Sequence, residues 1–564
     1  MKQAVFIFVC LAVLSVFAAP LKIGWAMESI DPGKRSIMPG YGYFRPSEGS
    51  GDPIYATVLV LDNGKESVIF VSLDILNPVD ISPRVRAIAK KIAPELPADR
   101  FFINATHTHS SINVYYPMTG VPAELGLMDS EDIKNMIAGK IVAAAQKAWA
   151  NRKNGKIAYG YGLGATSFNR RNVYAGDLSK RPKGQYGSSV AYAGRALILG
   201  RTNDAEFEGW ESGSENFINF LFTYDMNDKL TGFIINAPVT AQIYSGHMRK
   251  YTSDFWHDVR EIFKKKYPGV YILPQASGAG DTIPFQVHYT QAEKRRIAMK
   301  YDKKVLDAYG RKCAYPGIPD GWEEYLAYRK GMCMDIAERI FNIFEDTYKW
   351  ASKSKQSEVV LRYKLLNLDL TPTPIPADRV ANAKATLEKY KKVPYKTDGT
   401  LMERGKFNFN RTKAINNAKS TLECAAHYSK GHRTQPPRPC TFLGRWLSRI
   451  ILQKQKILLG NTVGNLLTVA APSIGQQIVD ALDQNRGFAA AGTGQQQERT
   501  FCRHGSLALH RIQPCQVPFN HGFSGRYVTC IEISHMFTRS CCFFIISPSI
   551  VGQNRLQVKQ KCCG

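Results

Sequence analysis

Two histidines one residue apart stand in the stretch Thr106-His107-Thr108-His109-Ser110-Ser111, just after an apolar run that reads as a strand. Side chains at i and i+2 of an extended chain project to the same side. Both imidazoles could then face one metal, or one could hold metal while the other handles a proton. The flanking hydroxyls can orient such ligands; an exposed polar strand end is the competing reading. A second group follows the apolar run GVYILPQ, in the order Ser277, Gly278, Ala279, Gly280, Asp281, Thr282, Ile283, Pro284. A loop of small residues lets backbone N–H groups approach an anion or oxyanion, and Asp281 could orient a base or a histidine. A tight turn explains the same loop equally well. A third group is Phe168-Asn169-Arg170-Arg171, where arginines could clamp a carboxylate or polarise a carbonyl, although such pairs are usually solvated. In the segment from Ser245 to His257, His247 and Asp254 are candidates for a second metal ligand or a base, and His257, within an expected helix, is read as packing or surface.

The elements that must position these groups alternate between strands and helices. Residues 55–62 and 67–75 are β-rich runs around Asn63-Gly64, a hairpin signature. Residues 82–93 read as a helix with Ser82 as its N-cap, and residues 130–150 as a long amphipathic helix capped by Ser130. The run 101–109 is a strand that ends in the histidine pair. Further strands are expected at 155–161, 195–200, 217–224, 230–236, 269–275 and 358–370, and helices at 254–266, 290–310 and 321–350. The fold class is therefore α/β, a mixed strand–helix domain of catalytic type. No G-x-S-x-G elbow, H-E-x-x-H, phosphate-binding loop or G-x-G-x-x-G fingerprint occurs, so those enzyme classes have no local support.

The chain has 564 residues, 44% of them hydrophobic, which rules out global disorder. Its net charge is +27, but from residue 401 onward 21 Lys and Arg face six Asp and Glu, so +15 lies there and +12 in the first 400 residues. Residues 421–564 form an unassigned Cys-rich basic tail with nine cysteines, whereas residues 19–420 hold only Cys313 and Cys333, which could close one loop. The tail shows no zinc-finger spacing and has adjacent pairs at Cys541-Cys542 and Cys562-Cys563. Such a step fits either a separate basic domain or a segment out of its native frame, or disordered, and the change of frame is the preferred reading. The charge is accordingly no argument for nucleic acid, and none is expected as a partner. Residues 1–18 have the short positive start, apolar run and small residues of a signal peptide cleaved after Ala18, so the mature chain is expected to be secreted or periplasmic.

Taken in order, these motifs resemble the N-terminal catalytic domain of the neutral/alkaline non-lysosomal ceramidases, nearest to its uncharacterised bacterial branch. The matching stretches are KIGWAMESIDP, MPGYGYFRP, DPIYATVLVLDNG, VIFVSLDIL, INATHTHSS, FNRRN, GFIINAPVTAQ, SDFWHDVR and ILPQASGAGDTIP. They span roughly residues 20–290, and the ceramidase-like domain is set at 19–420. The resemblance implies a zinc amidohydrolase that cleaves the amide of a ceramide-like lipid with metal-activated water. It implies that His107 is a zinc ligand, that His109 meets metal-bound water or substrate, and that Arg170 contacts the reacting group. The family's second histidine ligand falls at Ala237-Pro238, and His247, ten residues on, is the substitute. The family's G-D-x-S-P loop reads Gly280, Asp281, Thr282, Ile283, Pro284, with Ile283 in place of the serine and Thr282 carrying the adjacent hydroxyl. The expected partner is an amide-bearing lipid or other small molecule, with peripheral membrane contact. The alternative is a catalytically inactive relative that binds a lipid, glycan or protein.

Overall fold

The computed structural model describes residues 19–175, 191–192, 196–244, 246, 248–301, 322–366 and 375–429, together with the strands Lys454–Gly460 and Leu466–Thr468. The chain divides into Met1–Gly494 and Gln495–Gly564, and everything below concerns the first unit. The fold is mixed α/β, built on one eight-stranded sheet. Its order is Tyr271–Ala276, Leu230–Ala237, Phe217–Asp225, Lys153–Leu163, Lys22–Ser29, Tyr55–Asp62, Ser67–Leu73 and Phe101–Ala105.

The six central strands run antiparallel, and the pair at each edge is parallel. Parallel neighbours need a crossover, which a helix supplies at both edges. Ile81–Ile92 joins Ser67–Leu73 to Phe101–Ala105, and Phe255–Lys266 joins Leu230–Ala237 to Tyr271–Ala276. Both crossovers leave their loops at the carboxyl ends of edge strands.

Three apolar clusters hold the layers. On one outer region Val58, Val60, Ile69 and Val71 meet Val85, Ala89, Ile133, Ile137 and Ile141 of the helices Ile81–Ile92 and Ser130–Ala150. On the other, Phe220, Phe222, Phe233 and Ile235 meet Val259, Phe263, Ile340 and Phe344 of Phe255–Lys266 and Trp322–Ala351. The opposite face of the strands supplies the third cluster, including Trp25, Leu59, Phe70, Phe102, Leu221, Ile234 and Leu273, closed by Val359 and Leu361. The sheet curls around this third cluster, so its two edges approach each other. Trp25 lies across the interior. Its ring stacks on Tyr271 at 5.5 Å, and its Nε1 donates to Thr223 Oγ1 at 3.0 Å. The Ser72 hydroxyl donates to the Pro274 carbonyl and ties one edge region to the other.

The hairpin is as expected, with Leu61 opposite Val68 and Asp62 opposite Ser67. Cap residues differ. Asp80, in a left-handed conformation, precedes the first crossover helix, and Ser82 lies inside its first turn. Asp129, whose carboxylate accepts from the Glu131 N–H, caps the long helix in place of Ser130. The expected helix at 290–310 is described as Thr290–Lys300. Cys333 is fully buried on Trp322–Ala351, and Cys313 lies outside the described residues. Helix Leu401–Ser429 continues past residue 420, and Lys454–Gly460 pairs with Glu358–Leu366.

Gly24 sets how closely the helix Ser130–Ala150 approaches the sheet. A Cβ there would lie 1.9 Å from the Ala148 carbonyl oxygen, an atom of helix backbone that cannot step aside. Gly24→Ala is expected to cost about 1–3 kcal/mol of unfolding free energy through overpacking. Denaturant unfolding of the variant checks this, and an unchanged midpoint would contradict the close approach.

Candidate functional site

The loops after Leu73, Ala105, Ala237 and Ala276 meet at one end of the curled sheet, the carboxyl ends of its parallel edge strands. Ligand crevices of α/β sheets form at such ends. Two backbone bonds join loops from opposite edges: Ala241 donates to the Thr106 carbonyl at 3.1 Å, and His109 donates to the Ala241 carbonyl at 3.4 Å. Thr108 Oγ1 donates to the Thr252 carbonyl and Ser111 Oγ to the Asp74 carbonyl, so these hydroxyls brace the loop. Beneath it the inner face turns polar. Thr57, Ser72, Asn104, Asn236 and Gln275 are buried there, and Asn104 Oδ1, Asn236 Nδ2 and both polar side-chain atoms of Gln275 have no hydrogen-bond partner among the described residues.

The strand Phe101–Ala105 stops before the histidine pair, and His107 takes a left-handed backbone conformation at φ 62°. The two imidazoles therefore converge through a turn and not through strand alternation, with ring centroids 5.1 Å apart at 68°. His107 Nδ1 donates to the Leu76 carbonyl at 2.9 Å, which leaves Nε2 as the unprotonated nitrogen of the neutral ring. Burial, then the Arg170 charge, lowers the His107 pKa to about 4, against a smaller opposing effect of the Leu76 carbonyl. His109 is buried, and neither ring nitrogen has a hydrogen-bond partner among the described residues. Burial first, then His107, Arg45 and Arg170, hold it well below its ordinary value. Both rings are neutral at pH 7.

Arg170 joins them. The strand Thr282–Ile283 pairs with Phe168–Asn169, and the Arg170 N–H donates to the Asp281 carbonyl at 2.9 Å. Its guanidinium donates to the Gly280 carbonyl at 2.7 Å and reaches Gln242 Oε1 at 3.5 Å. Arg171 turns the other way and pairs with Glu211. Among the described residues Asp281 meets no histidine. Its carboxylate accepts from Ser212 Oγ at 2.9 Å and Asn169 Nδ2 at 3.3 Å and so steadies the strand that carries Arg170. Thr282 is buried, and its hydroxyl donates to the Ala279 carbonyl at 3.2 Å, a backbone brace. Asp254 is equally occupied: its carboxylate accepts from the N–H groups of Ile243, Tyr244 and Phe255 and caps the helix that follows. Burial nevertheless raises its pKa to about 7. His247 lies outside the described residues. His257 is half-buried, 3.6 Å from Asp52, in keeping with packing.

Two residues of the MPGYGYFRP stretch belong to the site although their types alone did not single them out. Arg45 is fully buried, and its Nη2 donates to the carbonyls of His109 and of Pro39. The Tyr41 ring lies 4.8 Å from the Arg45 guanidinium carbon and edge-on to His109 at 5.2 Å. Gly40, at φ +104°, passes so close that a Cβ would lie 2.5 Å from His109 Nδ1. The signal that could have found them is an arginine three residues beyond Gly-Tyr-Gly in an otherwise apolar stretch.

The chemistry of the donor set bears on zinc. A histidine whose Nδ1–H is held by a carbonyl has the arrangement of a metal-ligating imidazole, and the ring nitrogens of His109 are unpartnered beside it. These two fit nitrogen ligands of zinc. Among the described residues no group of three or more His, Cys, Asp or Glu side chains is placed to hold a metal ion.

No family model matches the chain, and no curated protein matches it. Among solved structures it is similar to the neutral ceramidase of Pseudomonas aeruginosa, at 18% identity and a TM-score of 0.43, over 64% of this chain and 49% of that one. It is likewise similar to a ceramidase complexed with C2, at 19% identity and a TM-score of 0.43, over 64% of this chain and 48% of that one. The chain spans about half the length of the structures it matches.

The lowered histidine pKa has a consequence for stability. With a folded value of about 4 for His107 and an ordinary value of 6.5, the unfolded chain binds more protons between these limits. Stability from this group is complete above pH 6.5 and is lost as pH falls toward 4. Between pH 7.5 and 4.5 the parent chain is expected to lose about 2–3 kcal/mol more than His107→Gln. Denaturant unfolding at both pH values checks this, and equal losses would contradict the neutral buried imidazole.

Proposed function

We propose that this chain is an exported, ceramidase-like amidohydrolase that cleaves the amide of an N-acyl lipid or similar small molecule. The observation that carries the reading is the convergence of His107, His109 and Arg170 on loops at one end of the curled sheet. Arg170 is the group for the carbonyl oxygen, because a guanidinium stabilises negative charge developing there. His109, buried and neutral, is the proton acceptor for water attacking the acyl carbon. As the C–N bond breaks, the hydroxide of that water stays on the acyl carbon and the proton passes to the leaving nitrogen, giving a carboxylic acid and an amine, which at neutral pH become a carboxylate and an ammonium. Zinc would be held by His107 Nε2, with His247 as the further ligand, and would supply Lewis acidity at the carbonyl, which leaves the unprotonated nitrogen of His109 for the proton. Export rests on the signal-like residues 1–18.

A second reading is a relative that binds the acyl ligand without cleaving it. It is favoured by the backbone contacts that occupy Thr282 and Asp254 and by the apolar Ile283 in the serine position.

The two readings separate in one preparation. The purified chain is expected to carry zinc and to release fatty acid from N-dodecanoylsphingosine, with one oxygen-18 incorporated from labelled water. His107→Ala is expected to lose the zinc and to lower turnover by about a hundredfold or more. Zinc content unchanged in His107→Ala overturns the ligand assignment, and an absence of turnover in the zinc-loaded parent chain leaves the binding reading.

A further inference from the structure

We propose that Arg45, with Tyr41 and His109, forms a buried carboxylate subsite, and that the site takes an N-acyl amino acid, an amide that carries its own acid group. The inference rests on the reading of His107, His109 and Arg170 as an amide site.

Arg45 is fully buried, and its guanidinium carries a full positive charge. Taking a guanidinium out of water is costly unless an opposite charge and full hydrogen bonding offset it. Here two neutral carbonyls, those of Pro39 and His109, accept from Nη2, and Nε and Nη1 have no hydrogen-bond partner among the described residues. Among the described residues no carboxylate pairs with Arg45. The neighbours that act on its charge are the phenols Tyr41, Tyr43 and Tyr116 and a second cation, Arg249. Tyr41 is no counter-ion, because burial pushes its pKa up to about 12.

The leftover atoms are donors only, so their partner must be an acceptor, and the uncompensated charge calls for an anion. The subsite adjoins the amide site: Arg45 holds the His109 backbone, and the charges of Arg45 and Arg170 both act on the His109 ring. One ligand can meet both cations when its carboxylate lies a bond or two from its amide. A neutral ceramide-like lipid offers nothing to Arg45. His109, with both ring nitrogens unpartnered, lies between the two roles.

The test compares two ligands of equal chain length on the full chain by titration calorimetry. N-dodecanoylglycine carries the carboxylate, and N-dodecanoylethanolamine replaces it with a hydroxymethyl group. The acid is expected to bind at least about tenfold more tightly. Arg45→Gln is expected to erase that preference. Equal affinities in the parent chain, a preference that survives Arg45→Gln, or tighter binding of dodecyl phosphate would each overturn the carboxylate subsite. The comparison on the parent chain decides the matter even where Arg45→Gln fails to fold. Arg45-dependent binding of the glycine amide without any amide turnover retains the subsite and sinks the hydrolase reading. Turnover of both amides with no preference for the acid does the reverse.

Discussion

The site exists because loops from opposite edges of one sheet are bonded to each other. The Thr106 carbonyl accepts from Ala241, and the Ala241 carbonyl accepts from His109. In a flat eight-stranded sheet the strands that these two loops follow would lie six spacings apart, about 29 Å at about 4.8 Å per strand. The curl that removes this separation is enforced from inside. Trp25 stacks on Tyr271 and bonds to Thr223, and a Cβ on Gly232 would lie 2.6 Å from the Trp25 ring. Packing of the interior and bonding of the loops are thus one constraint expressed at two levels. The apolar cluster curls the sheet, and the curled sheet presents four loop ends to one another.

Function at this end is held against local cost. His107 adopts a left-handed backbone, a conformation that costs a non-glycine residue about 1–2 kcal/mol. The bond from its Nδ1 to Leu76 offsets part of that and fixes the ring. Buried polar atoms without partners in Asn104, Asn236, Gln275, His109 and Arg45 are further unfavourable contributions. Such a concentration of strain and unsatisfied polarity is where natural folds give up stability for activity. The supporting groups run the other way. Asp254, Asp281, Thr108 and Ser111 spend their polar atoms on loop backbone or on neighbouring side chains and so keep the loops in place.

Much of the frame was legible in the sequence because local rules agree there. Asn63-Gly64 between two β-rich runs gave the hairpin, and the apolar spacing from Ile133 to Ala148 gave the long helix. His107, His109 and Arg170 were legible as residue types and do come together. The reason given for the histidines was wrong in mechanism: alternation along a strand does not operate at φ 62°. Asp281, Thr282 and Asp254 were over-read, since a polar side chain in a loop serves backbone bonding as readily as chemistry. Arg45 and Tyr41 were under-read. Their importance arises from burial beside His109 through contacts 64 and 68 residues apart in the chain, which no local pattern encodes. The curl is likewise a long-range property of side-chain packing.

The most direct measurement of this account is the state of the His107 ring, read by long-range nitrogen-15 NMR of the labelled chain at pH 6. The account predicts a neutral imidazole protonated at Nδ1, the tautomer that the Leu76 carbonyl requires, with Nε2 free to act. A charged ring at pH 6, or a neutral ring protonated at Nε2, would contradict it, because neither could present an open nitrogen beside His109 and Arg170.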